Sequence, residues 1–320
     1  MAGDAWGVNP ELKVVAAKQG GVFSRQQASR SGYTPEQMRE RLADGRWEKV
    51  RYGQYAEAAD LSGRPPWEQQ IIRHRRSVHA AMNSVQPGSV VVSHQSALAL
   101  HELTMWGVDL DEVHLNRLDK RKGRLVAGVR YHRGNLTPAD LTKVSGLATT
   151  TLPRALVELA CTASFESTVV SADAAFHEHK VSTAEIVRLL TVIESWPGSA
   201  SARSALAFVN PQCESVGESR LRVLMHNHGL PAPVLQSSFK DADGFVGRVD
   251  FYFPEYQTIV EFDGLMKYTN GSAEVLVQEK RREDRLRALG LEVVRITWSD
   301  LNRPATVVAQ IRQAFVRARR

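Results

Sequence analysis

Two clusters of glycine, proline and serine cut this chain into three segments, and a fold needing one unbroken run of regular structure is excluded by them. The first is Leu61-Ser62-Gly63-Arg64-Pro65-Pro66 and the second Ser195-Trp196-Pro197-Gly198-Ser199-Ala200-Ser201. Such clusters interrupt helical and strand periodicity. They divide the 320 residues into segments at 1–62, 65–200 and 210–320. Two or three domains are expected at roughly 100–200 residues each.

Composition narrows the class. Hydrophobic residues make up 43% and charged residues 24% of the chain, the balance of a globular protein and not of a disordered or fibrous one. Lys plus Arg exceeds Asp plus Glu by 41 to 35, a net charge of +6. That excess favours a polyanionic partner, although mildly. Cys161 and Cys213 lie far apart with no CxxC pair, which points to a reducing, cytoplasmic setting. The first residues carry Asp4 where a signal peptide has basic residues. Apolar runs such as residues 88–92 fall far short of the roughly 20 residues that span a bilayer, so no membrane partner is expected.

The segment at 1–62 predicts three short helices and a hairpin. Leu12, Val15 and Ala16 recur at helical spacing, and Gly20-Gly21 follows. Ser24 with Gln27 has the spacing of a capping box, and Thr34-Pro35 the signature of a helix start. Residues 47–55 alternate around Gly53 like a hairpin. Three helices and a β-wing are the plan of a winged helix. Its third helix would enter a major groove, with Gln37, Arg39, Arg41, Lys49 and Arg51 as contacts to DNA.

This segment resembles the winged-helix domain of AbiEi-type antitoxins, from Gly21-Val22-Phe23-Ser24-Arg25-Gln26-Gln27-Ala28 to Gly53-Gln54-Tyr55. Ser93-His94-Gln95-Ser96-Ala97-Leu98-Ala99-Leu100-His101 and the stretch from Gly146 to Leu156 look like parts of the domain that follows in that family. The resemblance covers roughly residues 8–200. It implies an α+β middle domain at 65–200, a transcription-regulator ancestry and a cognate toxin protein as partner.

The middle segment offers little chemistry by itself. Ser93 follows Val90-Val91-Val92 and precedes a helical run, which is an N-cap position whose hydroxyl accepts a backbone N–H. No G-x-S-x-G elbow surrounds it. Cys161 sits in an apolar run and reads as a buried thiol. Cys213, His226 and His228 lack zinc-ligand spacing. A basic cluster stands out: Arg117, Lys120, Arg121, Lys122, Arg124, Arg130 and Arg133. Read as strand, Gly123 turn and strand, it predicts a basic β-ribbon that tracks phosphates; a solvated loop tip that blunts a sheet edge is the equal alternative.

The segment at 210–320 predicts the order α-β-β-β-α-β-α. Alternation along its strands puts Val249, Phe251 and Phe253 on one face. Asp250, Glu261 and Asp263 then meet on the same face of adjacent antiparallel strands. Like charges so close repel, and a hard divalent cation, Mg²⁺ or Mn²⁺, offsets the repulsion. Glu218, early in the preceding helix, is a further metal-ligand candidate beside Asp250 and Glu261. Lys267 and Lys280 are candidates to orient a water or steady phosphoryl charge.

These residues resemble the PD-(D/E)XK nuclease superfamily and its Vsr-like group of endonuclease domains. The likeness rests on Glu218-Ser219-Arg220-Leu221-Arg222, Arg248-Val249-Asp250-Phe251, Val260-Glu261-Phe262-Asp263-Gly264, Lys267-Tyr268, residues 279–286 and Val293-Val294-Arg295. It implies Asp250 and Glu261 as the motif acids, with Asp263 standing where the motif has lysine and Lys267 or Lys280 supplying that function. The fold expected is mixed α/β and multidomain: a winged helix, an α+β middle and an αβββαβ restriction-endonuclease-like core. The function expected is a metal-dependent endonuclease acting on DNA. A repressor or antitoxin with an inactive nuclease fold, and an RNA nuclease, are the alternatives.

Overall fold

The computed structural model describes residues 8–119, 121–264 and 273–318. Among them are twelve α-helices and three β-sheets, a mixed α/β architecture. The chain divides into two compact units, Met1–Ala163 with Val181–Arg203, and Ser164–Lys180 with Ser204–Arg320.

The first unit opens with α1 (Pro10–Ala17), β1 (Val22–Ser24), α2 (Arg25–Arg30), α3 (Pro35–Ala43), β2 (Trp47–Arg51) and β3 (Gln54–Glu57). Local chemistry sets the helix starts. Asn9 caps α1 ahead of Pro10, while Ser24 with Gln27 and Thr34 with Gln37 close reciprocal capping boxes. The three strands pair in the order β1-β3-β2. Leu12, Phe23, Ala28, Tyr33, Met38 and Trp47 bury one core beneath them, with Phe23 edge-on to Trp47 at 4.7 Å.

The unit continues through α4 (Pro66–Met82), β4 (Val90–Val92), α5 (His94–Leu100), β5 (Val113–Arg117), β6 (Arg124–Val126), β7 (Val129–Arg133), β8 (Leu141–Val144), β9 (Leu147–Thr150) and α6 (Leu152–Ala160). The six strands form one sheet in the order β6-β7-β5-β4-β9-β8. The expected basic ribbon takes a different form here. β5 and β7 are parallel neighbours, Leu115 against Tyr131, because the connection between them is long enough to hold β6. The true hairpin is β6–β7, turning at Ala127 and Gly128, both with positive φ.

Next come α7 (Phe165–His177), α8 (Thr183–Val192) and α9 (Ser199–Ala207). Although α7 lies in the middle of the sequence, it packs with the second unit. Asp173 on α7 accepts the Arg222 Nη2 on both carboxylate oxygens, at 2.9 and 2.8 Å, and the Ser219 hydroxyl at 2.7 Å. Burying that acid demands such partners.

The second unit completes with α10 (Val216–Asn227), β10 (Val234–Asp241), β11 (Gly244–Phe253), β12 (Thr258–Asp263), α11 (Ala273–Ala288), β13 (Glu292–Thr297) and α12 (Pro304–Arg317). The strands pair β10-β11-β12-β13, with β12 and β13 parallel and joined by the α11 crossover. Phe251, Phe253, Val260, Phe262, Val294 and Ile296 pack with residues of α10 and α12. Ile259, Val293 and Tyr252 pack with Leu286 of α11. The sheet is thus sandwiched between helices on both faces.

Candidate active site

The β11–β12 register ends where Phe251 pairs with Val260; Asp250 and Glu261 follow that rung, close enough for the Asp250 charge to act on Glu261. The Asp250 Oδ2 accepts the backbone N–H of Phe262 at 2.8 Å, taking the place of a main-chain acceptor. The expectation that Val249 shares a face with Phe251 and Phe253 fails at this point. Val249 belongs instead to the cluster of Ile259 and Leu286.

Glu261 is buried, and burial raises its carboxyl above the usual range; Arg282 opposes that shift and the Asp250 charge adds to it. The Arg282 Nη2 donates to Glu261 Oε1 at 2.6 Å, and its Nε donates to Glu279 Oε1 at 3.3 Å. Arg295, level with Glu261 in the parallel register, donates to Glu279 Oε2 at 3.2 Å and lies 3.2 Å from Glu283. Gly247 makes room for this arrangement, since a β-carbon there would stand 3.0 Å from the Arg282 side chain. The Arg282 Nη1 is buried with no hydrogen-bond acceptor among the described residues.

Glu218 is committed elsewhere. Its carboxylate accepts the Glu214 N–H at 3.0 Å, the Ser215 hydroxyl at 2.7 Å and the Gln236 amide at 3.1 Å. The Ser215 Oγ in turn accepts the Glu218 N–H. This cap fixes the start of α10, and Gly217 beside it lets the helix approach the Phe262 ring, which a β-carbon would meet at 1.9 Å. Arg222, a possible i+4 partner of Glu218, pairs with Asp173 instead. Asp263 ends β12 half-buried, level with Thr297. Lys280 is exposed on α11, whereas Arg282, two residues on, is the cation that reaches Glu261. Lys267 lies outside the described residues.

The candidate DNA contacts are dispersed in role. Gln37 turns back to accept the Thr34 N–H at 2.9 Å. Arg39 is exposed and pairs loosely with Glu36. Arg41 lies over the Tyr33 and Trp47 rings, and Arg51 donates to the Ala127 carbonyl at 2.6 Å. Lys49 stays exposed beside Tyr52, whose ring is 93% exposed at the tip of the β2–β3 wing. Of the basic cluster, Arg117 and Arg121 pair with Asp119 and Arg130 with Glu112, while Lys122 is exposed. Lys120 lies outside the described residues.

Several placements were not foreseen from the sequence. Ser93 holds the N-cap position of α5, yet its hydroxyl makes no cap bond and meets His94 Nδ1 at 3.0 Å. Arg282 and Arg295 fall within stretches that carry the nuclease-like resemblance, but neither was singled out as a site residue. Tyr52 could have been found as an aromatic beside a turn glycine. Both thiols are quiet, as burial pushes Cys161 to about 11 and Cys213 to about 12. No helix among the described residues is long and apolar enough to cross a membrane.

Comparison with known proteins finds two relatives along most of the chain. The uncharacterized proteins MT2308 and Rv2248 of Mycobacterium tuberculosis are each 29% identical over 290 residues, 89% of this chain and 98% of the relative. Among solved structures, the RV2827C protein from Mycobacterium tuberculosis is similar at 15% identity and a TM-score of 0.35, covering 65% of this chain and 86% of that one. No protein-family model matches the chain.

Proposed function

We propose that the second unit is a metal-dependent endonuclease domain of the restriction-endonuclease-like type, and that the winged helix at 1–62 brings it to DNA. The observation that carries this reading is the closeness of Asp250 and Glu261 just past the last β11–β12 pair, with the half-buried Arg282 at Glu261. A buried carboxylate held next to another acid is costly unless a cation compensates it. The donor set fits a hard ion: two carboxylates, all oxygen, one of them buried. Asp250 and Glu261 would hold Mg²⁺ or Mn²⁺, and the ion would supply Lewis-acid polarisation and a lowered pKa for bound water.

The chain's own residues then divide the work. Asp250 and Glu261 present negative charge on one side of the scissile phosphate. Arg282 keeps a fixed cation against Glu261, and a fixed cation beside the metal ligands stabilises charge that develops there. Arg295, Glu279 and Glu283 hold α11 against the sheet and so fix the guanidinium. On the DNA side, Arg39, Lys49 and Tyr52 form the exposed contacts of the third helix and wing.

A second reading has its own support. Arg282 already neutralises Glu261 and Glu218 is engaged in a helix cap, an arrangement that also suits a DNA-binding repressor of the AbiEi type whose nuclease fold does no chemistry, with a toxin protein as partner. Incubating the protein with plasmid, linear, mismatched and single-stranded DNA, and with RNA, in Mg²⁺, Mn²⁺ or chelator separates the readings. Cleavage of DNA that stops on chelation supports the nuclease, and cleavage of RNA instead makes it a ribonuclease. Intact substrates throughout support the repressor.

A further inference from the structure

We propose that His94, His114 and His132 form a binding site for a borderline divalent metal ion of the Zn²⁺ class, with an open fourth position. The three side chains come from the start of α5, from β5 and from β7, and one ring nitrogen of each lies within 4.8 Å of the others. His132 Nε2 and His114 Nδ1 are 3.0 Å apart. The His94 and His132 rings stack at 3.8 Å. Zinc–imidazole bonds of about 2.0–2.1 Å put tetrahedral ligand atoms about 3.4 Å apart. The observed spacing brackets that value, so small ring rotations suffice.

The surroundings match what a ligating histidine needs. His94 Nδ1 faces Ser93 Oγ at 3.0 Å and the buried Glu158 carboxylate at 3.6 Å, which leaves Nε2 for an ion. An acid or hydroxyl behind the far nitrogen is the usual support of a metal-bound imidazole. At His114 the far nitrogen, Nε2, faces the Gln95 amide at 2.9 Å, and the buried Gln95 Oε1 has no hydrogen-bond partner. With Nδ1 on a metal, the proton moves to Nε2. A half-turn of the amide then presents Oε1 to it, in exchange for the 3.2 Å contact with Asp109.

Two further observations point the same way. His94 has φ +51, a left-handed backbone that a non-glycine residue holds at a cost and that clusters at functional positions. His94 and His114 are buried while His132 is half-buried, which gives an ion and a water a route to the open position. Three protein ligands and one exchangeable position are the pattern of an open zinc site. Its nitrogen donors distinguish it from the all-oxygen pair of Asp250 and Glu261.

The full-length protein, stripped with a chelator, is titrated with Co²⁺ and then Zn²⁺. The site gives one equivalent of intense, four-coordinate visible absorption that Zn²⁺ abolishes. His132→Asn, the substitution at the half-exposed ligand, removes that absorption with unchanged far-UV circular dichroism, and Glu261→Gln keeps it. X-ray absorption at the zinc edge of the wild type, which needs no variant to fold, counts three imidazoles. Weak six-coordinate absorption alone, intense absorption retained in His132→Asn, or fewer than two imidazoles at the zinc edge would overturn the site.

Discussion

The guanidinium of Arg282 meets the buried carboxylate of Glu261 at 2.6 Å, joining the crossover helix α11 to the central strand β12. Removing one partner of a buried pair leaves the other charge uncompensated, at about 3–5 kcal/mol. Both side chains keep some solvent contact, 21% and 11%, so Arg282→Ala should destabilise the second unit by about 2–3 kcal/mol. Arg282→Ala combined with Glu261→Gln should recover part of that loss. Urea unfolding followed by intrinsic fluorescence reads both. Equal stability of wild type and Arg282→Ala would show that the pair is not buried as described.

Asp173 should be costlier. Its carboxylate takes Arg222 at 2.9 and 2.8 Å, the Ser219 hydroxyl and the Asn210 N–H. Asp173→Ala strands the Arg222 guanidinium in a dry site, and a loss of about 3–5 kcal/mol is expected. The same urea measurement checks it; a change below about 0.5 kcal/mol, the range of an ordinary surface substitution, would contradict it.

His74 makes stability pH-dependent. Its Nδ1 lies 2.7 Å from the Leu110 carbonyl and its Nε2 2.9 Å from Ser96 Oγ, and burial lowers it from 6.5 to about 4. The unfolded chain therefore takes up a proton that the folded chain refuses. Stability should be flat in this term above 6.5 and fall as the pH drops from there toward 4, by up to about 1.4 kcal/mol per pH unit. Urea midpoints at pH 7, 6 and 5 should fall less steeply for His74→Gln than for wild type. Parallel curves would remove His74 as the cause.

Binding of duplex DNA should be salt-dependent through the third helix and wing. Arg39→Ala or Lys49→Ala should each lower the slope of log affinity against log salt by about one unit. Fluorescence anisotropy with the full-length protein at several salt concentrations gives the slope. Wild-type slopes in both variants would place the DNA contact elsewhere.

Much of this architecture was legible where the determinants are local. The capping box at Ser24, the helix start at Thr34-Pro35, the Gly53 turn and the β10–β11 hairpin each depend on residues a few positions apart. The order of elements in the second unit follows for the same reason. What escaped depends on distant contacts. Arg282 reaches Glu261 from 21 positions away through a crossover, and although it lies in the 279–286 stretch of the likeness, spacing does not single it out among neighbouring arginines. Val249 packs with Ile259 and Leu286, a placement that no alternation rule anticipates. The histidines at 94, 114 and 132 stand on separate elements, and the parallel pairing of β5 with β7 is what brings the last two together.

The central claim is that Asp250 and Glu261 carry phosphodiester cleavage, and one comparison tests it most directly. Single-turnover cleavage of duplex DNA in Mn²⁺ is measured for wild type, Asp250→Asn and Glu261→Gln, with DNA affinity measured for each in parallel. Cleavage by wild type that falls at least a hundredfold in both variants, with affinity unchanged, is the expected result; it corresponds to about 2.7 kcal/mol or more of barrier. Cleavage that persists undiminished in Glu261→Gln, or wild type that never cleaves, would contradict it.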